Sequence, residues 1–404
     1  MKLRFVAPVA AVAAACLVFT GCSSSSSSSN STTTGSSSAT GTPIHVMMST
    51  AVSGASSPMP ETQGGLQASI KEINDTGGID GHPIDMSLCD TQGNQNLAES
   101  CAEQAVSNKD VAVIAPGNVL TAAMLPTLQK AGIALFGADS NTALDATSSV
   151  SFPAVPGAYD LNNASGTIAK QIGCKKIATL IIEAPFITTV VANGYKVLFQ
   201  ALGLPYAGPT YAATTVTDYS DTLAAIEATG ADCVTTALAI AQTTGFLTAW
   251  KQAGSTLKLI IPGTTIAPLT SLASIDTGIY IYTPTRLPSD PLVASTIADI
   301  NKYSPGTVIS SRSIEAYAIG QIFAEGLKQA HLTTYTAQTV LGALNNDLRN
   351  APSGNVLPPY STVPSTVANQ ERIFTKYAVA YTVNGTKTTT VTGWVKIPGI
   401  TSPL

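Results

Sequence analysis

From residue 43 onward, short apolar runs alternate with longer segments whose apolar residues recur at helical spacing. Strands separated by whole helices cannot pair as hairpins, so this alternation predicts parallel strands joined by crossover helices. The second helix illustrates the spacing, because Leu97, Cys101, Ala105 and Val106 fall on one stripe. The first series comprises strands at 44–48, 84–89, 111–115 and 133–137, with helices at 63–74, 95–108 and 121–131 between them. The pattern restricts the chain to an α/β fold.

A second alternating series follows the extended, proline-flanked stretch at 152–156. Its predicted strands are 176–182, 206–211, 233–238 and 257–261, and its predicted helices are 161–172, 188–202, 219–229 and 242–253. Another extended stretch at 279–287 leads to helices at 292–303, 313–330 and 337–350. We therefore expect two doubly wound parallel-sheet lobes joined by crossover hinge strands. The N-terminal lobe should comprise 43–155 and 286–352, and the C-terminal lobe 156–285 and 353–404.

The C-terminal segment departs from this alternation. A Pro-rich stretch at 351–364 leads to two runs of alternating character at 377–383 and 388–397, with Asn384-Gly385 between them. Asn-Gly between two such runs is a strong hairpin signal. The second lobe is therefore expected to end in a β-hairpin.

The N-terminus has the features of an export signal. Lys2 and Arg4 precede an apolar run of fifteen residues at 5–19, which is shorter than the roughly 20 residues needed to span a bilayer. Thr-Gly-Cys at 20–22 then resembles the lipobox of bacterial lipoproteins, although Phe19 replaces the usual leucine. We expect 1–22 to be a lipoprotein signal peptide. Cys22 should carry the lipid that anchors the mature, extracytoplasmic chain to the cell membrane. An ordinary secretory signal is the alternative.

Composition supports a tethered, exported domain. Residues 23–42 are nearly all Ser, Thr, Gly and Asn, which predicts a flexible tether with a reach of about 25 Å. Only 11% of the chain is charged and the formal net charge is -4. The few basic residues are scattered, which argues against nucleic-acid binding. Loss of Lys2 and Arg4 makes the mature chain more acidic, so charge alone would not hold it on an anionic membrane.

Cysteine usage agrees with export. Of six cysteines, Cys16 leaves with the signal and Cys22 takes the lipid, so that an even number remains for disulfides. Three pairings are possible. We expect Cys89 to bond Cys101, since one ends a strand and the other lies on the inward stripe of the next helix. By the same reasoning Cys174 should bond Cys233, because each begins a strand in the second lobe. A zinc site is the alternative, but CxxC and HxxxH spacings are absent. No metal or cofactor is expected.

A turn in the first lobe resembles that of a known family. Gly-Gly-Ile-Asp-Gly at 77–81 follows Ile-Asn-Asp at 73–75 and precedes a strand ending Leu-Cys-Asp at 88–90. This closely resembles the IN-x-x-GG-I-x-G turn of the leucine/isoleucine/valine-binding proteins. Further matches, in the family's order, are Ser53-Gly54, Ala115-Pro116-Gly117, Ala131-Gly132-Ile133 and Glu315-Ala316-Tyr317-Ala318. The resemblance covers about 43–397 and implies the type I periplasmic binding fold and the role of receptor for an ABC importer.

The resemblance also implies where a ligand is contacted. In the family, loops after the third and fourth strands present hydroxyls and amides to a ligand carboxylate, at the carboxyl edge where ligands of parallel sheets bind. Further candidates are Ser53 after the first strand, Met59 in place of a usual aromatic, Phe186 as the aromatic of the second lobe, and Thr236 on the strand at 233–238. The loop positions here are Asn118, Val119, Asp139, Ser140 and Asn141. Turn and helix-cap chemistry is the alternative for the polar ones, and core packing for Met59 and Phe186.

One departure from the family limits the ligand chemistry. The family holds the ligand's ammonium with an acidic residue after the strand predicted at 257–261, whereas this chain has Gly263 there with no acid nearby. Asp139 could supply a replacement negative charge, so an amino acid remains possible. The site is otherwise expected to be polar and neutral with apolar walls.

The inventory of reactive residues does not favour an enzyme. The three histidines are His45, His82 and His331, and neither GxSxG nor HExxH is present. We expect a monomeric extracytoplasmic solute-binding lipoprotein that captures an amino acid, amide or small carboxylate between closing lobes and docks on an ABC permease. The alternatives are a ligand-sensing receptor lipoprotein that signals to a membrane partner, and a secreted hydrolase. The sequence leaves the ligand unnamed.

Overall fold

The computed structural model of the chain describes residues 39–55, 58–263, 278–366, 368–385 and 387–398, without the side chains at 158, 159, 185–187, 189 and 190. The predictions for the signal peptide, for Cys22 and for most of the tether therefore lie outside the described residues. Within them, no helix is both long enough and apolar enough to cross a membrane.

The first lobe is built on a five-stranded parallel sheet. Its strands are β1 (Ile44–Thr50), β2 (Ile84–Asp90), β3 (Ala112–Ile114), β4 (Ala134–Phe136) and β6 (Ser151–Phe152), in the order β2-β1-β3-β4-β6. Two further short strands, β5 (Asp139–Ser140) and β7 (Val155–Pro156), pair with each other beyond its edge. The order changes direction between β1 and β3, which makes that point the topological switch point of the sheet.

Helices cover both faces of this sheet. They are α1 (Pro60–Asp75), α2 (Gln95–Asn108), α3 (Thr121–Ala131) and α4 (Ala143–Thr147), and, where the chain returns, α10 (Ala294–Tyr303), α11 (Ser311–Ala330) and α12 (Ala337–Asn346). The long α11 packs along α1, where Gly65 lies against the backbone of Ser313 and Gly320 against Ser69. A side chain at either glycine would push the two helices apart. Their close contact fixes the start of α11.

The second lobe has a larger sheet with the same parallel order. Its strands are β8 (Ile177–Glu183), β9 (Tyr206–Ala213), β10 (Cys233–Ala237), β11 (Lys258–Pro262) and β12 (Ile279–Thr283), followed by β13 (Tyr377–Asn384), β14 (Lys387–Thr390) and β15 (Val395–Lys396). The sheet runs β14-β13-β12-β11-β10-β8-β9, with β15 also beside β13. Its helices are α5 (Ala158–Asn162), α6 (Ala164–Gln171), α7 (Pro185–Ala201), α8 (Ser220–Ala228) and α9 (Ile240–Gln252). The α/β architecture with two parallel-sheet lobes is confirmed.

The expected C-terminal hairpin is present, with one correction. Strand β13 is antiparallel to both β12 and β14, so the hairpin extends the second sheet. The run predicted as one strand at 388–397 is divided into β14 and β15, and both pair with β13.

The segments that connect the lobes lie side by side. Arg372 Nε donates to the carbonyl of Ser151 at 2.9 Å, and Thr375 Oγ1 donates to that of Ala154 at 2.8 Å. The Arg372 guanidinium also lies over the Phe152 ring at 4.3 Å. A third crossing segment around 372–375 therefore accompanies the first one.

Part of the chain expected in the second lobe packs in the first. Val356, Leu357 and Tyr360 are buried in the same core cluster as β1, α1 and α11, and the Tyr360 hydroxyl donates to the Pro153 carbonyl at 3.0 Å. The Pro-rich stretch after 353 therefore covers the first lobe before the chain crosses to β13.

Both expected disulfides are present. Cys89 bonds Cys101 and Cys174 bonds Cys233, with Cα atoms 5.7 Å and 5.9 Å apart. The predicted buried stripe of α2 is correct at Cys101 and Ala105 and wrong at its other two positions. Ala98, Cys101, Ala102 and Ala105 are the buried residues of α2, whereas Leu97 and Val106 are exposed. The cysteine lies on both stripes, so the pairing was unaffected.

Candidate functional site

A cavity of about 380 Å³ opens between the two lobes. The first lobe lines it with Val119, Asp139, Asn141, Ser311, Arg312 and Glu315. The second lobe contributes Leu161 and Gly263, and the crossing segments contribute Thr283, Thr285 and Leu287 among others. The space is within the usual range for small-molecule sites, and its walls combine apolar side chains with a few polar groups, as such sites do.

The fold brings these residues together from three places. Val119 follows β3, Asp139 to Asn141 follow β4, and Gly263 follows β11, so all lie at carboxyl ends of parallel strands. Arg312 lies in the first turn of α11, and Glu315 follows three residues later. Ser310 caps this helix, since its Oγ accepts from the Ser313 amide at 3.2 Å. The cap fixes the start of the helix and places Arg312 and Glu315 on one face.

Asp139, Arg312 and Glu315 form an ion-pair cluster at the cavity wall. Arg312 Nη1 and Nη2 donate to Asp139 Oδ1 and Oδ2 at 3.2 Å and 3.0 Å, a bidentate arrangement. Arg312 Nη1 also donates to Glu315 Oε1 at 2.9 Å. The side chains are 29% exposed for Arg312, 12% for Asp139 and 2% for Glu315. The arginine thus faces the cavity while the two carboxylates behind it fix its orientation.

The surroundings of Glu315 and Arg312 shift the pKa values of both groups. Burial raises the pKa of Glu315 to about 7, and the Asp139 charge adds to this rise while Arg312 opposes it. The two carboxylates raise the pKa of Arg312 above its usual range, so its guanidinium stays charged. The cluster carries one net negative charge when Glu315 is ionised and none when it is protonated.

A second cavity of about 320 Å³ adjoins the first. Met59, Asn118 and Leu120 line it, and Val119 and Arg312 line both cavities. Asn118 does not present its amide there, because Nδ2 donates to the Ser49 carbonyl at 3.0 Å and Oδ1 accepts from the Leu120 amide at 2.7 Å. For Asn118 the structure agrees with the alternative prediction, in which the side chain stabilises a turn.

The remaining predicted site residues fall into three groups. Asp139, Asn141, Val119 and Gly263 line the interlobe cavity. Ser53, Ser140 and Thr236 line neither cavity: Ser53 Oγ donates to the Asp90 carboxylate, and Ser140 and Thr236 are buried in strands. The backbone of Phe186 belongs to α7, but its side chain lies outside the described residues.

Sequence reasoning missed Arg312 and the role of Glu315. Glu315 was noted only as part of a family motif, and Arg312 was not noted at all. A local signal did exist, since Arg and Glu three residues apart follow a serine cap at the start of a helix. The partnership with Asp139, 173 residues away in sequence, had no such signal.

The described residues contain no group of three or more His, Cys, Asp or Glu that could hold a metal ion.

Comparisons with known proteins place these observations in a family. A family model described as periplasmic binding protein matches residues 43–364. A solved ABC transporter substrate-binding protein from Desulfitobacterium hafniense in complex with Leu is 15% identical, with a TM-score of 0.69 over 86% of this chain and 99% of that chain. A solute binding protein from R. palustris in complex with 4-hydroxybenzoate is 18% identical, with a TM-score of 0.64 over 88% and 98%. A fatty acid ABC transporter substrate-binding protein from Thermomonospora curvata is 16% identical, with a TM-score of 0.65 over 91% and 97%. None of the curated proteins matches at a significant level.

Proposed function

Because this chain belongs to the periplasmic binding protein family, we propose that it is the extracytoplasmic solute-binding lipoprotein of an ABC importer. It captures one small polar or amphipathic solute and presents it to a membrane permease, without changing it chemically. The observation that carries this proposal is the cavity of about 380 Å³, which is lined from both lobes and has a charged cluster in its wall.

The charged cluster favours a solute with a carboxylate or an amide. A guanidinium has five N–H groups, and Arg312 uses three contacts with Asp139 and Glu315. Asp139 is engaged in a bidentate pair, so it is a weaker partner for a ligand ammonium than an uncommitted carboxylate would be. The similar structures bind leucine and 4-hydroxybenzoate or are named for fatty acids, and each of these molecules carries a carboxylate.

Closure of the lobes couples capture to transport. A solute that contacts both lobes stabilises the closed form over the open one by the difference between its affinities for the two. Arg312 and Asn141 contact it from the first lobe, and the crossing segment at Thr283 and Thr285 contacts it beside the hinge. The permease then recognises the closed form.

Lipid on Cys22 holds the protein at the membrane. Stable anchoring needs more than one acyl chain, and bacterial lipoproteins carry several on this cysteine. In a Cys22→Ser variant the chain should remain unprocessed or be released. Detergent partitioning and the mass of the N-terminal peptide test this, and unchanged partitioning with unchanged processing would contradict lipid anchoring.

Calorimetric titration tests the proposed binding. Leucine, isoleucine, valine, small carboxylates and neutral amides are titrated into the wild type and into Arg312→Met. A charged hydrogen bond contributes about 1.5–3 kcal/mol, so the tightest solute should bind about 10- to 100-fold more weakly to Arg312→Met.

The matched control is Arg286→Met. Arg286 forms a comparable buried pair with Asp290 at 2.7 Å but does not line the cavity, so this variant should keep its affinity. Failure of every solute to bind the wild type, or equal binding to wild type and Arg312→Met, would contradict the proposal.

A further inference from the structure

The second cavity lies at the switch point of the first sheet. Ala51 follows β1, Gly93 follows β2, and Val119 and Leu120 follow β3, and all of them line it. Because the connections after β1 and β3 lead in opposite directions across the sheet, their loops separate and leave a crevice. Such crevices are where open parallel sheets bind ligands. The position therefore marks a binding subsite and not an incidental packing gap.

The walls of this cavity suit a hydrocarbon. Four of its lining residues are apolar: Ala51, Met59, Val119 and Leu120. The side-chain amide of Asn118 is hydrogen-bonded to the backbone of Ser49 and Leu120. Methionine is flexible and polarisable, and it adapts to apolar partners of different shape. The polar side chains of the lining are those of Thr91, Asn118 and Arg312, and among the described lining residues only Arg312, at one end, is charged.

Gly117 lies in the wall of the second cavity, beside both Met59 and Arg312. Its φ of 67° lies in the left-handed region. A Cβ there would lie 3.2 Å from Met59 Cε and 3.5 Å from Arg312 Nη1. The glycine therefore lets the thioether and the guanidinium approach each other at this point, where the two cavities meet.

The two cavities are continuous in their lining. Val119 and Arg312 belong to both, and the carboxylates of Asp139 and Glu315 hold the guanidinium at the junction. A solute whose polar end lies beside Arg312 in the interlobe cavity has only to pass Val119 for its other end to enter the second cavity. Val119 is 53% exposed, so it does not seal the passage by core packing.

We infer that the solute has an apolar tail that occupies the second cavity while its polar end lies at Arg312 in the interlobe cavity. The ligand class is thus an aliphatic carboxylate or amide, longer than a standard amino acid. This inference rests on the proposed solute-binding function and specifies its substrate.

A chain-length series tests it. The probes are n-alkyl carboxylates from propanoate to octanoate and n-alkyl primary amides from propanamide to hexanamide, titrated by calorimetry. Burial of one methylene contributes about 0.8 kcal/mol, so the dissociation constant should fall about fourfold with each added carbon until the cavity is filled. The head group that binds identifies the polar end.

Two variants locate the tail. Met59→Trp fills the second cavity, so the gain in affinity with chain length should disappear. Met59→Ala enlarges the cavity, so the optimum should move to a longer chain. Val197→Trp introduces the same side chain on the exposed face of α7, away from both cavities, and should keep the wild-type series. Thermal unfolding verifies that each variant is folded.

The outcomes separate this inference from the proposed function. Affinity that does not change with chain length, or that changes equally in wild type and Met59→Trp, overturns the apolar tail while solute binding stands. Binding of leucine with no binding of either series also overturns it. If no member of the series and none of the other solutes binds the wild type, the proposed function itself fails.

Discussion

The two lobes share a strand order but differ in what they contribute to the cavity between them. The parallel strands run β2-β1-β3-β4-β6 in the first lobe and β9-β8-β10-β11-β12 in the second. Among the described residues, the charged groups at the cavity all come from the first lobe, as Asp139, Arg312 and Glu315. The comparable pair of Arg286 and Asp290 packs instead against Tyr381 and Trp394 of the second lobe.

This difference shows that the common scaffold does not determine the chemistry of the site. The same topology presents strand ends at equivalent edges, and short loops at those ends decide which lobe binds the polar part of a solute. In this protein the first lobe supplies the charged side chains of the cavity wall, and the second lobe supplies Leu161 and Gly263. Variants that change one lobe at a time test this difference between the lobes.

The largest expected effect concerns the disulfides, and it is larger in the second lobe. The Cys174–Cys233 bond closes 59 residues and the Cys89–Cys101 bond closes 12. Loop-closure entropy predicts losses of about 4 and about 3 kcal/mol for the paired serine variants, respectively. Urea unfolding of Cys174→Ser/Cys233→Ser and Cys89→Ser/Cys101→Ser measures both. A larger loss in the first lobe would show that native-state packing, not chain entropy, decides the order.

The second-largest expected effect is the loss of unfolding free energy when the arginine of either ion pair is replaced. Arg286→Met leaves Asp290 buried without its cation and should cost about 3 kcal/mol of unfolding free energy. Arg312→Met should cost about 2 kcal/mol, because its pair is more exposed. The triple change Arg312→Met/Asp139→Asn/Glu315→Gln removes the whole cluster and should recover part of the loss. If Arg312→Met loses as much unfolding free energy as Arg286→Met, the ion-pair cluster is more deeply desolvated than its exposed fraction indicates.

A pH effect separates the lobes in the same way. Burial raises the pKa of Glu315 in the first lobe to about 7 and that of Asp160 in the second to about 6. A raised folded pKa means stability that is present below the unfolded value, near 4, and lost as pH rises through the folded value. The wild type should therefore lose stability as the pH rises from about 4 to about 7. Glu315→Gln should abolish about 2 kcal/mol of this loss near pH 7, and Asp160→Asn a similar part near pH 6.

Denaturant unfolding at a series of pH values checks this prediction. The contribution of Glu315 should also respond to the solute, whereas that of Asp160, which faces Lys376 away from the cavity, should not. A wild-type stability that rises over this pH range would contradict the assigned sign.

The smallest expected effect concerns an exposed valine in each lobe. Val119 borders both cavities and Val197 lies on the outer face of α7, 53% and 49% exposed respectively. Val119→Ala should weaken solute binding up to about fivefold, roughly 1 kcal/mol of lost apolar contact, while Val197→Ala should not change it. Neither variant should change stability by more than about 0.5 kcal/mol. Calorimetry measures the affinity of each variant. Equal affinities of the wild type and Val119→Ala would show that Val119 does not contact the solute.

Features with a local signal could be predicted from the sequence. The alternating runs gave the parallel strands, Asn384-Gly385 gave the hairpin of β13 and β14, and cysteine positions on strands and helices gave both disulfide pairs. The loop after β4 lines the interlobe cavity, as expected where the carboxyl ends of parallel strands meet at one edge, and its contact with a ligand stays a prediction.

Features that depend on distant partners could not. Arg312 lies on α11 and Asp139 on β5, 173 residues apart in sequence, and no spacing within either segment indicates that they meet. Asn118 was assigned a ligand contact, yet its amide is used by Ser49 and Leu120, a choice between local and ligand hydrogen bonds that sequence leaves open. Val356 and Tyr360 pack in the first lobe because a proline-rich segment has no periodicity to reveal its partner.

Native mass spectrometry tests the central claim, capture of one small solute between the lobes, most directly. The purified protein is incubated with a small-molecule extract of the cells that produce it. Three forms are compared: the wild type, Ser311→Trp, which places a large side chain in the interlobe cavity, and Ser295→Trp, which places it at an exposed position in the first turn of α10. The account predicts one added solute mass on the wild type and on Ser295→Trp, and none on Ser311→Trp. No added mass on the wild type, or the same added mass on Ser311→Trp, would contradict it.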